Sequence, residues 1–142
     1  MRAHTRSRCS ARWPWTAPTR ALAEFYRELL GWRYRPGDEP PGDGQPDEKG
    51  QDWLVLLGPP GSTGIAFQQV EALNRSTWPD NEVPQQLHPD LTVPTVADFE
   101  VQHRRALELG ATVLEDRSDD EQEPLRVYAD LDGHPFCIFV AS

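Results

Sequence analysis

Two stretches of this chain are written to one plan, and the duplication narrows the possible folds more than any other feature. Leu22–Trp32 and Val101–Ala111 each place apolar residues at helical spacing, stop at a glycine (Gly31, Gly110) and run on into strand-like residues. A unit made of one amphipathic helix and its strands has an apolar face it cannot bury alone. Two copies can close around a shared cleft, and such clefts bind small molecules. With 142 residues the chain suffices for one compact domain, or two fused half-domains, with a core of its own.

The pattern along the chain fills in this plan. Leu22, Phe25, Tyr26, Leu29 and Leu30, with Glu24, Arg27 and Glu28 on the other face, predict a helix over 19–30 with Thr19 as N-cap and Gly31 as its left-handed stop. Residues 32–35 read as a strand. Residues 36–52, rich in proline, glycine and acids, read as a solvated loop that buries almost nothing. Residues 53–57 and 64–70 predict a hairpin around the Gly58-Pro59-Pro60-Gly61 turn, and 71–86 a connector that hinges the halves. The second half predicts a strand at 87–93, a helix at 96–109, then strands at 111–115, 125–129 and 135–140, the last two joined by the tight turn Asp130-Leu131-Asp132-Gly133. Each half therefore approximates β-α-β-β-β. The first half's opening strand would have to come from Cys9–Trp15, where Cys9, Ala11, Trp13 and Trp15 alternate. The competing reading of residues 1–16 is an arginine-rich leader without fixed structure.

Composition excludes several function classes. A net charge of -9, with arginines gathered only near the N-terminus, argues against a nucleic-acid surface. The sequence has no apolar run near the ~18 residues that span a bilayer and no apolar segment of a secretory signal. The two cysteines, Cys9 and Cys137, are too few and too separated for a disulfide framework and read as reduced thiols of a cytoplasmic protein. Small molecules and other proteins remain as partners.

The segments Ala23-Glu24-Phe25-Tyr26-Arg27-Glu28-Leu29-Leu30-Gly31-Trp32, Leu87-His88-Pro89-Asp90-Leu91-Thr92-Val93, Ala106-Leu107-Glu108-Leu109-Gly110-Ala111 and Val127-Tyr128-Ala129-Asp130-Leu131-Asp132-Gly133-His134-Pro135-Phe136-Cys137 resemble the vicinal-oxygen-chelate superfamily, which includes glyoxalases, bleomycin-resistance proteins and dioxygenases, in its glyoxalase-like branch. The resemblance implies an α+β fold: two βαβββ modules forming a curved mixed sheet, or half-barrel, around a shared cleft, often in a homodimer. Module one would span about 17–72, the connector 73–86 and module two 87–142, after the atypical leader 1–16, for which an altered start or reading frame replacing the true first strand is the expectation.

In the family's enzymes, strand side chains hold a divalent metal that acts as a Lewis acid. Carried onto this sequence, the four ligand positions fall on Cys9 or Ala11, on Ala66 or Gln68, on His88 and, through the family's Gly-Asn-x-x-Glu pattern, on Cys137. If a metal such as Zn, Ni, Fe or Mn is bound, its ligands are expected to be His88, Gln68 and Cys137. Only His88 is a convincing ligand type, so the first expectation is a binding protein without a metal cofactor, similar to bleomycin-resistance proteins. The alternative is a metal-dependent lyase, isomerase or dioxygenase. A third reading is a cofactor-free isomerase or epimerase in which His88 and Asp90, which share strand parity, act as an acid/base pair.

Further ligand-binding candidates are Trp78, placed in the polar connector where an aromatic wall could pass the cleft's mouth, with Gln68, Trp53, Tyr128 and His134. Most of the aromatic residues, Phe67 and Phe136 included, read as core. His134 also reads as support for its turn, and His103 as solvent-exposed beside Arg104 and Arg105.

Overall fold

The computed structural model describes residues 18–141. The opening strand expected at Cys9–Trp15, the character of the leader and the ligand positions at Cys9 and Ala11 all fall outside them.

Helix α1 (Thr19–Leu30) buries Leu22, Ala23, Phe25, Tyr26 and Leu29 and ends at Gly31, whose φ of 66° closes the last turn while Trp32 N–H donates to the Arg27 carbonyl. Its N-cap is Pro18 rather than Thr19. Thr19 sits one step inside the helix, and both its backbone N–H and its hydroxyl donate to Gln69 Oε1 at 2.8 Å. A distant amide thus satisfies a helix-end donor that a capping side chain would otherwise serve.

Three antiparallel strands follow: β1 (Arg33–Tyr34), β2 (Trp53–Leu57) and β3 (Ile65–Gln68), in the spatial order β1-β2-β3. The second module is complete. Strand β4 (Asp90–Val93) leads to helix α2 (Val96–Leu109), then to β5 (Thr112–Arg117), β6 (Leu125–Ala129) and β7 (Pro135–Val140), with the sheet order β4-β7-β6-β5 and β4 parallel to β7. Helix α2 carries its own cap, Thr95 Oγ1 accepting from Asp98 N–H, and Gly110 (φ 106°) ends it. Among the described residues the result is α+β, with two open sheets and no closed barrel.

Three expectations need correction. The strand expected at 87–93 begins only at Asp90; Leu87 is 81% exposed, and Pro89 has no N–H to give a ladder. Strand β5 runs past 115 to Arg117, with a bulge between Val113 and Glu115. The loop at 36–52 is not merely solvated. Asp38 is fully buried, accepts from Val55 N–H, and pairs with Arg35 and Lys49, while Arg20 on α1 reaches the Asp38 carbonyl and the Asp47 carboxylate. Burial works against the charge on Asp38, but these donors outweigh it and hold its pKa below the usual carboxylate value.

The core joins the modules. Phe25 and Tyr26 of α1 pack edge-on against Phe136 of β7 at centroid separations of 5.8 and 6.2 Å, and Tyr128 stacks on Phe136 at 5.1 Å. Module one's helix therefore buries its aromatic face on module two's last strands.

Candidate functional site

Two groups of chemistry-bearing side chains emerge from this frame. The first lies on the β4–β7 pair. Parallel register sets Asp90 opposite Cys137, whose N–H bonds to the Pro89 carbonyl, and His88 just upstream turns Nε2 to within 3.3 Å of Asp90 Oδ1. One donor atom from each of His88, Asp90 and Cys137 lies within 4.8 Å of the others. The two side chains of the His–Asp pair are about 37% and 56% exposed, so the group opens outward. Burial and the neighbouring Asp90 push the Cys137 thiol up to about 11, which keeps it protonated near neutrality. A dication would reverse that balance, because a coordinating thiol is deprotonated.

The second group surrounds a cavity of about 480 Å³ where α1, β3, the connector and the β6–β7 turn meet. Its apolar wall includes Leu22, Ile65, Phe67, Leu73 and Leu87, within the size range of small-molecule sites. Polar groups are few and placed: Gln68 and Gln69 from the β3 end, Gln85 from the connector, and the Asp130–His134 turn. Gln85 Oε1 is buried and has no hydrogen-bond partner among the described residues.

The turn is built around Asp130. Its carboxylate accepts from the backbone N–H groups of Asp132 and His134 (2.9 and 3.0 Å), from Tyr26 Oη (2.8 Å) and from His134 Nδ1 (2.9 Å to Oδ2). Gly133, at φ 89°, makes the reversal possible, and a Cβ there would strike the Arg75 side chain lying across it. The hydrogen bond to Asp130 raises the His134 pKa against the opposing cost of burial, and burial with the Asp130 charge raises that of Tyr26.

The sequence candidates are therefore dispersed. His88, Asp90 and Cys137 converge; Gln68 sits on the other sheet and lines the cavity, as does His134. Trp53, 41% exposed on β2 opposite Gln68, and Trp78, whose N–H donates to Ser76 Oγ, are not part of the cavity wall. Tyr128 is fully buried, and its hydroxyl meets His103 Nδ1 at 2.9 Å. His103 is thus half-buried against β6 rather than free in solvent. Asp130, Tyr26 and Gln85 were not singled out from the sequence. Their only signals were a turn motif, a helical apolar position and a polar connector.

A glyoxalase-like domain model matches residues 15–139. The chain belongs to the glyoxalase-like domain family, and its fold is that of the vicinal-oxygen-chelate superfamily. Among solved structures, it is similar to a glyoxalase/bleomycin resistance protein/dioxygenase family enzyme from Burkholderia phytofirmans (15% identity, 89% of this chain and 93% of that one, TM-score 0.61). It is also similar to the fosfomycin resistance protein FosX from Mesorhizobium loti (16% identity, 89% and 86%, TM-score 0.59) and to the hypothetical protein SA1046 from S. aureus (19% identity, 87% and 85%, TM-score 0.58). No curated protein matches the sequence. Among the described residues no helix is long and apolar enough to cross a membrane.

Proposed function

We propose that this protein binds a small, mainly apolar organic molecule in the cavity between α1, β3 and the β6–β7 turn, as a binding or sequestering member of its family. The observation that carries this reading is the cavity itself: about 480 Å³, with an apolar wall and a few polar groups. Apolar burial supplies affinity in such a site, and its isolated polar groups supply orientation. Fosfomycin resistance proteins of this fold are named among the structural neighbours, so a small molecule is a ligand class the fold accommodates. Leu73→Trp tests it. Leu73 is 41% exposed in the connector at the cavity wall, so an indole there fills space without entering the core. Binding of any ligand found by screening falls by at least about tenfold, a loss of ~1.4 kcal/mol, while the melting temperature stays near that of the parent; unchanged affinity would place the ligand elsewhere.

A second reading rests on a different observation, the convergence of His88, Asp90 and Cys137. One imidazole, one carboxylate and one thiolate are a suitable donor set for a divalent metal such as zinc with an open coordination position. A metal held there supplies Lewis acidity for a bound oxygen. In this reading the protein is a metal-dependent lyase, isomerase or dioxygenase, and Gln68, on the other sheet, is a cavity residue rather than a ligand. Titration of zinc, nickel, iron(II) and manganese into the chelator-treated protein decides it. Stoichiometric binding abolished by His88→Ala supports the metal enzyme, and no retention by the parent protein removes it.

The partners in either reading are the small molecule and a second copy of the chain. A homodimer would cover apolar side chains that both sheets expose, Trp53, Val113 and Leu114.

A further inference from the structure

Asp130 and His134 form a buried-carboxylate–histidine pair whose imidazole lines the cavity. The pair is over-determined on one side and open on the other. Asp130 is 3% exposed, and its two oxygens take two backbone N–H groups and the Tyr26 hydroxyl besides His134 Nδ1. Because Nδ1 faces the carboxylate, it is the nitrogen that carries the proton in every charge state, and the ring's orientation is fixed. Its other nitrogen, Nε2, has no hydrogen-bond partner among the described residues, and the His134 side chain remains 45% exposed at the cavity.

We propose that the cavity takes a small apolar carboxylic acid, with the carboxylate held by Nε2–H of protonated His134 and the apolar body against Leu22, Ile65 and Phe67. This inference rests on the cavity being the binding site. Three features support it. The Asp130 hydrogen bond favours the imidazolium, so Nε2 is a donor over more of the neutral range than an ordinary histidine's would be. A charge-assisted hydrogen bond is stronger than a neutral one. The charged groups facing His134 are Asp130 and Asp132 on its own turn and Arg75 of the connector, whose side chain lies on Gly133 and whose guanidinium donates to the Leu131 carbonyl. Protonated His134 and Arg75 offset the two carboxylates, so an incoming acid does not meet uncompensated negative charge.

The sign of the linkage follows. A carboxylate binds the protonated ring better than the neutral one, so occupancy raises the His134 pKa further, and affinity falls as pH rises through the free protein's value. Above about pH 5.5 the ligand's own acid is already ionised, which leaves His134 as the group that titrates.

The experiment uses three probes of matched shape, cyclohexanecarboxylate, cyclohexanecarboxamide and cyclohexylmethylamine, with NMR of the His134 ring and of the cavity methyls from about pH 5.5 to pH 8.5. The carboxylate is expected to bind about fivefold or more tighter than the amide at the acid end, to lose that advantage at the alkaline end, and to raise the His134 pKa. His134→Gln, whose amide offers a neutral donor near the Nε2 position, keeps weak binding and loses the pH dependence. If the carboxylate binds no better than the amide or the amine, or saturates the cavity without moving the His134 pKa, the inference is wrong while the cavity reading stands. If no probe shifts the Leu22, Ile65 or Leu73 methyls, both fall.

Discussion

Two histidines carry the chemical interest of this chain, and their neighbours set them apart. His88 pairs with an exposed carboxylate, Asp90, on an edge strand, whereas His134 leans on Asp130, which is buried and bonded to Tyr26 and two backbone donors. The first arrangement leaves a group free to rearrange around an ion, and the second presents a fixed donor to a cavity. Asp38 shows the same principle in a structural role. Its buried carboxylate ties the 36–52 loop to β2 through Val55 N–H while Arg35 and Lys49 neutralise it. Asp38→Ala strands that N–H and is expected to cost about 1–3 kcal/mol in a urea titration, with Asp38→Asn costing less because the amide oxygen can still accept. Since the folded-state pKa of Asp38 is depressed, its contribution is present above the unfolded value near ~4 and is lost as pH falls through the lower folded value. The parent should therefore lose stability on acidification through that window by more than Asp38→Asn does. Equal losses would show that the pair does not hold the loop.

Among elements, the two helix stops offer a matched comparison. Gly31 and Gly110 both adopt left-handed φ, 66° and 106°, but a Cβ at Gly31 meets nothing within 4 Å while one at Gly110 comes 2.8 Å from Leu131 Cδ2. Gly31→Ala is expected to cost about 1 kcal/mol from backbone conformation alone. Gly110→Ala should cost more, because the Leu131 side chain must also give way; denaturant midpoints in the reverse order would refute the assignment. These glycines are legible in the sequence because apolar period and stop signal agree at the same residue. For β4 the apolar pattern overshoots, because Leu87 is apolar but exposed and Pro89 has no N–H to give a ladder. The tie between Thr19 and Gln69 and the burial of Asp38 were not readable at all, since they depend on partners far along the chain. The site was legible in part for the same reason. His88, Cys137 and Gln68 are positions that the family resemblance picks out, whereas Tyr26 and Asp130 are 104 residues apart and meet only once α1 packs on module two.

For the molecule as a whole, the duplicated unit gives each half a helix, and the packing of α1 onto Phe136 makes the halves one body with a cavity beside their junction. Module two alone shows the full β-α-β-β-β order within the described residues, with its β4–β7 edge bearing His88, Asp90 and Cys137. Under the two proposed readings, function turns on which of two places a ligand occupies, the partly open cavity or the exposed β4–β7 edge. Methyl and amide NMR of the protein with a ligand obtained by screening separates them directly. Shifts are expected to concentrate on the methyls of Leu22, Ile65, Leu73 and Leu87 and on the His134 ring; shifts confined to Leu91, Thr92 and Cys137, with the cavity methyls unmoved, would contradict binding in the cavity.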